Sequence, residues 1–123
     1  MKFAKRVYLI AGVYGLLVLL PQYFLEETTG RQHPPPITHP EFYYGFIGVA
    51  VAWQFVFLIM STDPVRYRPL TMAAVIEKAS FGIAVFTLFA LGRTSPTMLA
   101  AAIIDTVLGV LFVVAYMKTA TPR

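Results

Sequence analysis

Few residues in this chain could do chemistry outside its connecting segments: Gln54, Glu77, Lys78, Ser80 and Asp105. Glu77 and Lys78 are adjacent inside the apolar run 70–91, while Gln54 and Asp105 lie in separate apolar runs. Holding a charge at bilayer depth costs at least ~2.5–3.5 kcal/mol, so each ionisable group there needs a partner, water or a route to the interface. Two carboxylates and one ammonium can pair with each other, line a ligand pocket or exchange a proton. The sequence leaves two readings open. One is an interhelical hydrogen-bond cluster that fixes helix register, with a carboxylate neutral or paired to Lys78. The other is the polar floor of a site for a small lipophilic ligand or a proton.

Other chemistry lacks its residues. No cysteine is present, which removes disulfides, thiolate metal sites and Cys nucleophiles. His33 and His39 are six residues apart with prolines between them, and with Glu26, Glu27 and Glu41 they match no metal-ligand spacing. There is no glycine-rich phosphate loop, no Gly-x-Ser-x-Gly and no His-Glu-x-x-His. No catalytic residue, cofactor-binding residue or metal ligand is therefore assigned, and no cofactor is expected. An integral membrane enzyme acting on a lipid or quinone has only the acidic pair in its favour.

The elements that must position these residues follow from composition. Of the 123 residues, 58% are hydrophobic and only 13% charged, about half the charged share of a soluble domain. The apolar residues come in blocks at 7–25, 42–60, 70–91 and 97–117, each 19 to 22 residues long. About 20 residues of helix cross a bilayer, and backbone in lipid must satisfy its own hydrogen bonds, so each block is predicted to be a helix. The expected fold is all-α: one transmembrane four-helix bundle with a long outer loop over 26–41. The first block follows Lys2, Lys5 and Arg6 like a signal peptide, but it ends without small residues spaced for cleavage and reads as a retained span.

Local signals mark the ends. Pro21 predicts a kink or early finish of the first helix. Thr38 and Glu41 have capping-box spacing around Pro40, and Ser95-Pro96 supplies a cap followed by proline at the first helical position. Asp63-Pro64 predicts a turn. The His33-Pro34-Pro35-Pro36 segment is expected to be extended.

Charge gives the orientation. Lys2, Lys5, Arg6, Arg66, Arg68, Lys118 and Arg123 fall on one side, and only Arg31 and Arg93 on the other. This bias predicts cytoplasmic termini. The net charge of +4 lies beside apolar blocks, so lipid headgroups, not nucleic acid, are the expected partner.

By helical rise, Glu77 lies roughly 10 Å from the inner end of its span, Gln54 roughly 18 Å and Asp105 roughly 12 Å from the outer ends of theirs. Lys78 is expected to snorkel inward. Small residues at three- and four-residue steps predict packed faces: Ala73, Glu77, Ser80, Ala84 and Thr87; Ala101, Asp105 and Gly109; Gly48 and Ala52; Ala11 and Gly15.

Four spans in so short a chain, the turn Asp63-Pro64-Val65-Arg66-Tyr67-Arg68 and a short third loop resemble the small DoxX-like bacterial membrane proteins. The resemblance implies a four-helix inner-membrane protein and carries no functional residue. The expected role is a non-enzymatic bundle that packs against a second copy or a membrane partner subunit. The alternative is a proton-coupled carrier or ligand-binding protein using the intramembrane carboxylates.

Overall fold

Proline placement sets the first boundary. In the computed structural model, which describes residues 2–120, helix α1 spans Lys2–Leu19 and tightens into a 3-10 turn over Leu20–Phe24 with Pro21 at its start. Proline has no N–H to donate, so the chain leaves the α-ladder where Pro21 enters. Helix α3 (Pro40–Thr62), helix α4 (Leu70–Ala90) and helix α5 (Pro96–Lys118) follow, after a short helix α2 (Glu26–Gln32). The fold is all-helical among the described residues. Four of the helices, counting α1 with its 3-10 turn, are long and apolar enough to cross a membrane. Arg123, counted among the cations above, lies outside the described residues.

The connection over 26–41 differs from expectation. The long outer loop expected there is helical in its first half, where α2 lies, and the segment expected to be extended bends over residues 33–35. Glu26 and Glu27 in the first turn and Arg31 in the last complement the helix dipole. The Thr38–Glu41 capping box does not form. His39 is the N-cap and makes no side-chain cap bond, while its Nδ1 and Glu41 Oε1 lie 3.2 Å apart, so Glu41 is already engaged.

Other signals hold. Ser95 Oγ accepts from the Met98 N–H at 3.3 Å, and Asp63 Oδ1 accepts from the Arg66 N–H at 3.2 Å. Helix α4 ends in a Schellman pattern: the Arg93 N–H reaches Leu88 O at 2.8 Å and the Gly92 N–H reaches Phe89 O at 3.0 Å. Gly92 sits at φ +70°, the left-handed geometry that this stop requires and that glycine adopts without strain.

The four long helices run up and down as two hairpins. Helix α1 packs on α3 and α4 on α5, the hairpins meet mainly through α1 and α5, and α3 and α4 share little surface. Close approach explains the first pairing. A Cβ at Gly12 would lie 2.7 Å from the Leu58 side chain and 2.9 Å from Gln54 O, and one at Gly15 would overlap the Gln54 amide.

The tight core sits toward one end. Tyr8, Phe57 and Phe112 are fully buried with Ala4, Ala11, Met60, Ala74 and Ala115, and the Phe112 ring lies edge-on to Phe57 at 5.0 Å and tilted against Tyr8 at 5.4 Å. This is the end that carries the termini. A buried hydrogen bond of 2.8 Å between Tyr8 and Thr71 ties α1 to α4 there. Arg68 Nε donates to Tyr116 O at 3.0 Å with its guanidinium over the Tyr116 ring, sharing with the Thr119 hydroxyl a carbonyl at the negative end of α5. At the opposite, long-loop end, Tyr43 donates to Gln22 O at 2.7 Å and Tyr44 to Glu26 Oε2 at 3.2 Å.

Candidate charge cluster at Lys78

Helix phase decides which groups meet. On α4 the buried residues are Thr71, Ala74, Lys78, Gly82 and Val85, a single line at three- and four-residue steps. The expected packing stripe of Ala73, Glu77, Ser80, Ala84 and Thr87 is instead its flank: Ser80, Ala84 and Thr87 are exposed, and Ala73 and Glu77 half-buried. Small residues occur on both faces of this helix, so their spacing alone does not fix its phase. The partner fixes it, because Gly109 of α5 stands opposite Lys78, 3.1 Å from the Lys78 Cβ to where its own Cβ would be.

That contact also sends the lysine the other way. From Gly109 the Lys78 side chain runs toward Asp105, four residues or about 6 Å nearer the long-loop end. Its Nζ donates to Asp105 Oδ1 at 3.3 Å and lies 3.7 Å from Glu77 Oε2. The expectation that Lys78 snorkels toward the termini end is thereby corrected. That direction is filled by the aromatic core, and a carboxylate waits one turn the other way.

Lys78 is 4% exposed, against 22% for Glu77 and 20% for Asp105. The Phe57 ring, 5.2 Å from Nζ, closes the α3 side and offers its π-face to the ammonium. Two carboxylates therefore face one cation. Asp105 accepts the hydrogen bond, while Glu77 Oε2 has no hydrogen-bond partner.

The other two candidates stand apart. Ser80 is exposed and its hydroxyl donates back to Glu77 O at 3.0 Å, within its own helix. Gln54 is buried at 2% exposure on α3; its Nε2 donates to Ala50 O at 2.8 Å and its Oε1 has no partner. It packs on Gly12 and Gly15 of α1. So the structure joins Lys78, Asp105 and Glu77, and assigns Gln54 to the α1–α3 contact. Sequence reasoning missed Phe57 and the function of Gly109. The four-residue step from Asp105 to Gly109 was legible, but not which side chain it receives.

No family model matches the chain, and no curated protein or solved structure does either.

Accessibility of Asp105 is informative. It lies on the same face of α5 as buried Ala102, Gly109 and Phe112, yet a fifth of it is exposed. Met98, seven residues earlier on that face, is 37% exposed. The seam between the hairpins is thus tight on the termini side of the cluster and looser on the long-loop side. Shallow hollows of about 380 and 400 Å³ lie at the long loop, around Gly30 and Ile37 and around Ile37 and Phe42, and neither touches the cluster. The cluster can hold α4 against α5, and it can gain or lose a proton. It presents no nucleophile–base pair.

Proposed function

We propose that this chain is a multi-pass protein of a bacterial inner membrane, with both termini cytoplasmic, acting as a non-enzymatic bundle that associates with a second copy of itself. The orientation is supported by Lys2, Lys5, Arg6, Arg66, Arg68 and Lys118 at the termini end, against Arg31 and Arg93 at the other. The DoxX-like layout supports the choice of membrane.

One observation carries the association. The flank of α4 formed by Ser80, Ala84 and Thr87, beside half-buried Glu77, is polar or small, lies off the packed face and is exposed. Lipid offers such groups no hydrogen bond, whereas a second helix approaching along small residues offers both packing and polar partners. A two-fold pair brings the same flank together from both copies.

The absence of native cysteine makes the test direct. Ser80→Cys and Ala84→Cys, oxidised in native membranes, are expected to give disulfide-linked dimers. Leu17→Cys, on an exposed apolar face of α1, is the control and should remain monomeric. Monomers throughout would remove self-association from consideration.

A second reading, a proton-coupled carrier, is favoured by the partial accessibility of Asp105 on an inward face. It expects reconstituted protein to pass protons into vesicles carrying a trapped pH dye, and Asp105→Asn to abolish the flux. Vesicles no leakier than empty ones would dismiss it.

A further inference from the structure

The cluster is one positive charge short. Glu77 and Asp105 both lie within 4 Å of Lys78 Nζ, at 3.7 and 3.3 Å, and a single ammonium neutralises a single carboxylate. No other cation is paired with either acid among the described residues. The groups on the neighbouring elements are Tyr14 of α1, within electrostatic reach of Asp105, and the uncharged Phe57 of α3. Neither supplies the missing charge. The tight core blocks the termini side, and the opposite side is a seam at bilayer depth.

An isolated negative charge in such surroundings is expensive enough that a carboxylate takes up a proton instead. We infer that the Lys78 cluster is a one-proton site: at neutral pH it binds a single proton from water, held on Glu77, while Asp105 stays ionised against Lys78. The division follows the geometry. Asp105 is the nearer acid and accepts the ammonium hydrogen bond, whereas Glu77 Oε2 accepts none. The loosened seam beside Asp105 provides the path for exchange. The inference rests on the membrane placement proposed above, not on self-association.

Infrared spectroscopy of protein reconstituted in phosphatidylcholine vesicles counts the proton, because a protonated carboxyl has a C=O stretch, shifted in D2O, that a carboxylate lacks. Wild type is expected to show one such carboxyl at neutral pH. Glu77→Gln and Asp105→Asn should each abolish it, since either change leaves one acid for one ammonium. Lys78→Met should double it, because two acids then lack any cation. The remaining acids, Glu26, Glu27, Glu41 and Asp63, lie in or beside the connecting segments, away from the cluster, and are unchanged in every variant. The amide bands in the same spectra report whether each variant keeps its helices, and the two acid variants carry the test if Lys78→Met does not fold. A wild-type spectrum with no protonated carboxyl, or a band that survives both acid substitutions, would overturn the inference. Failure of the membrane placement is separately visible, as protein that stays folded in aqueous buffer without vesicles or detergent.

Discussion

At the scale of single residues, Lys78 has no substitute. Its stem fills the notch left by Gly109 and its ammonium answers the only acids at this depth. Removing one partner of a buried ion pair strands the other, typically at ~3–5 kcal/mol, whereas replacing both by apolar groups is often neutral. Lys78→Met is therefore expected to destabilise the bundle by about 2–4 kcal/mol, at the lower end because the stranded acids can take up protons. Lys78→Met with Asp105→Leu and Glu77→Leu should recover most of that loss. Denaturation in mixed micelles, followed by circular dichroism, reads both effects. A triple variant no more stable than Lys78→Met would show that the cluster does more than balance charge. The sequence announces that Glu77, Lys78 and Asp105 need partners, since lipid provides none. It does not announce the direction of Lys78, because a lysine stem can run up or down a helix and the choice depends on Gly109 and Phe57, in other helices.

At the scale of elements, each hairpin depends on glycine placed where a neighbour comes close. The two glycines of α1 differ in what they face. At Gly12 an added Cβ meets Gln54 O, a backbone atom that cannot move aside, together with the Leu58 side chain. At Gly15 the nearest atoms it meets all belong to the Gln54 side chain, whose amide end can swing away. Gly12→Val is expected to lose about 1–3 kcal/mol through overpacking, with no rescue from Gln54→Ala. Gly15→Ala should be largely rescued by Gln54→Ala, which clears the overlap and removes an unpaired buried oxygen. Thermal melts of the four variants in detergent decide this, and rescue of Gly12→Val instead would place the α1–α3 contact elsewhere. The helices themselves were readable from block length, Pro40, Ser95-Pro96 and Pro21, because lipid-spanning backbone has little choice. Helix α2 was hidden by the prolines after it, although Glu26-Glu27 and Arg31 at its two ends are the charge signature of a short helix. The phase of α4 was not readable, because small residues on both its faces satisfy the same spacing rule.

At the scale of the whole molecule, packing is lopsided along the bundle axis. Tyr8, Phe57 and Phe112 weld all but α4 at the termini end, the Tyr8–Thr71 bond adds α4, and Arg68 and Lys118 close the surface over Tyr116 and Phe3. Beyond the Lys78 cluster the hairpins keep their internal contacts, but the seam between them loosens, as the exposure of Met98 and Asp105 records. Water entering from the long-loop side would reach the cluster and stop at the aromatic layer. Thiol labelling tests this asymmetry, since a maleimide needs a hydrated thiol. Ala101, one turn from Asp105 on the inward face, and Ile103, 48% exposed on the opposite face, lie within about 3 Å of the same depth. A membrane-impermeant maleimide added on the long-loop side is expected to modify Ala101→Cys at least several-fold faster than Ile103→Cys. Equal, slow modification of both would mean that the seam is dry and Asp105 is sealed. Such a result would also deprive the proton site of its route while leaving the charge count of the cluster unchanged.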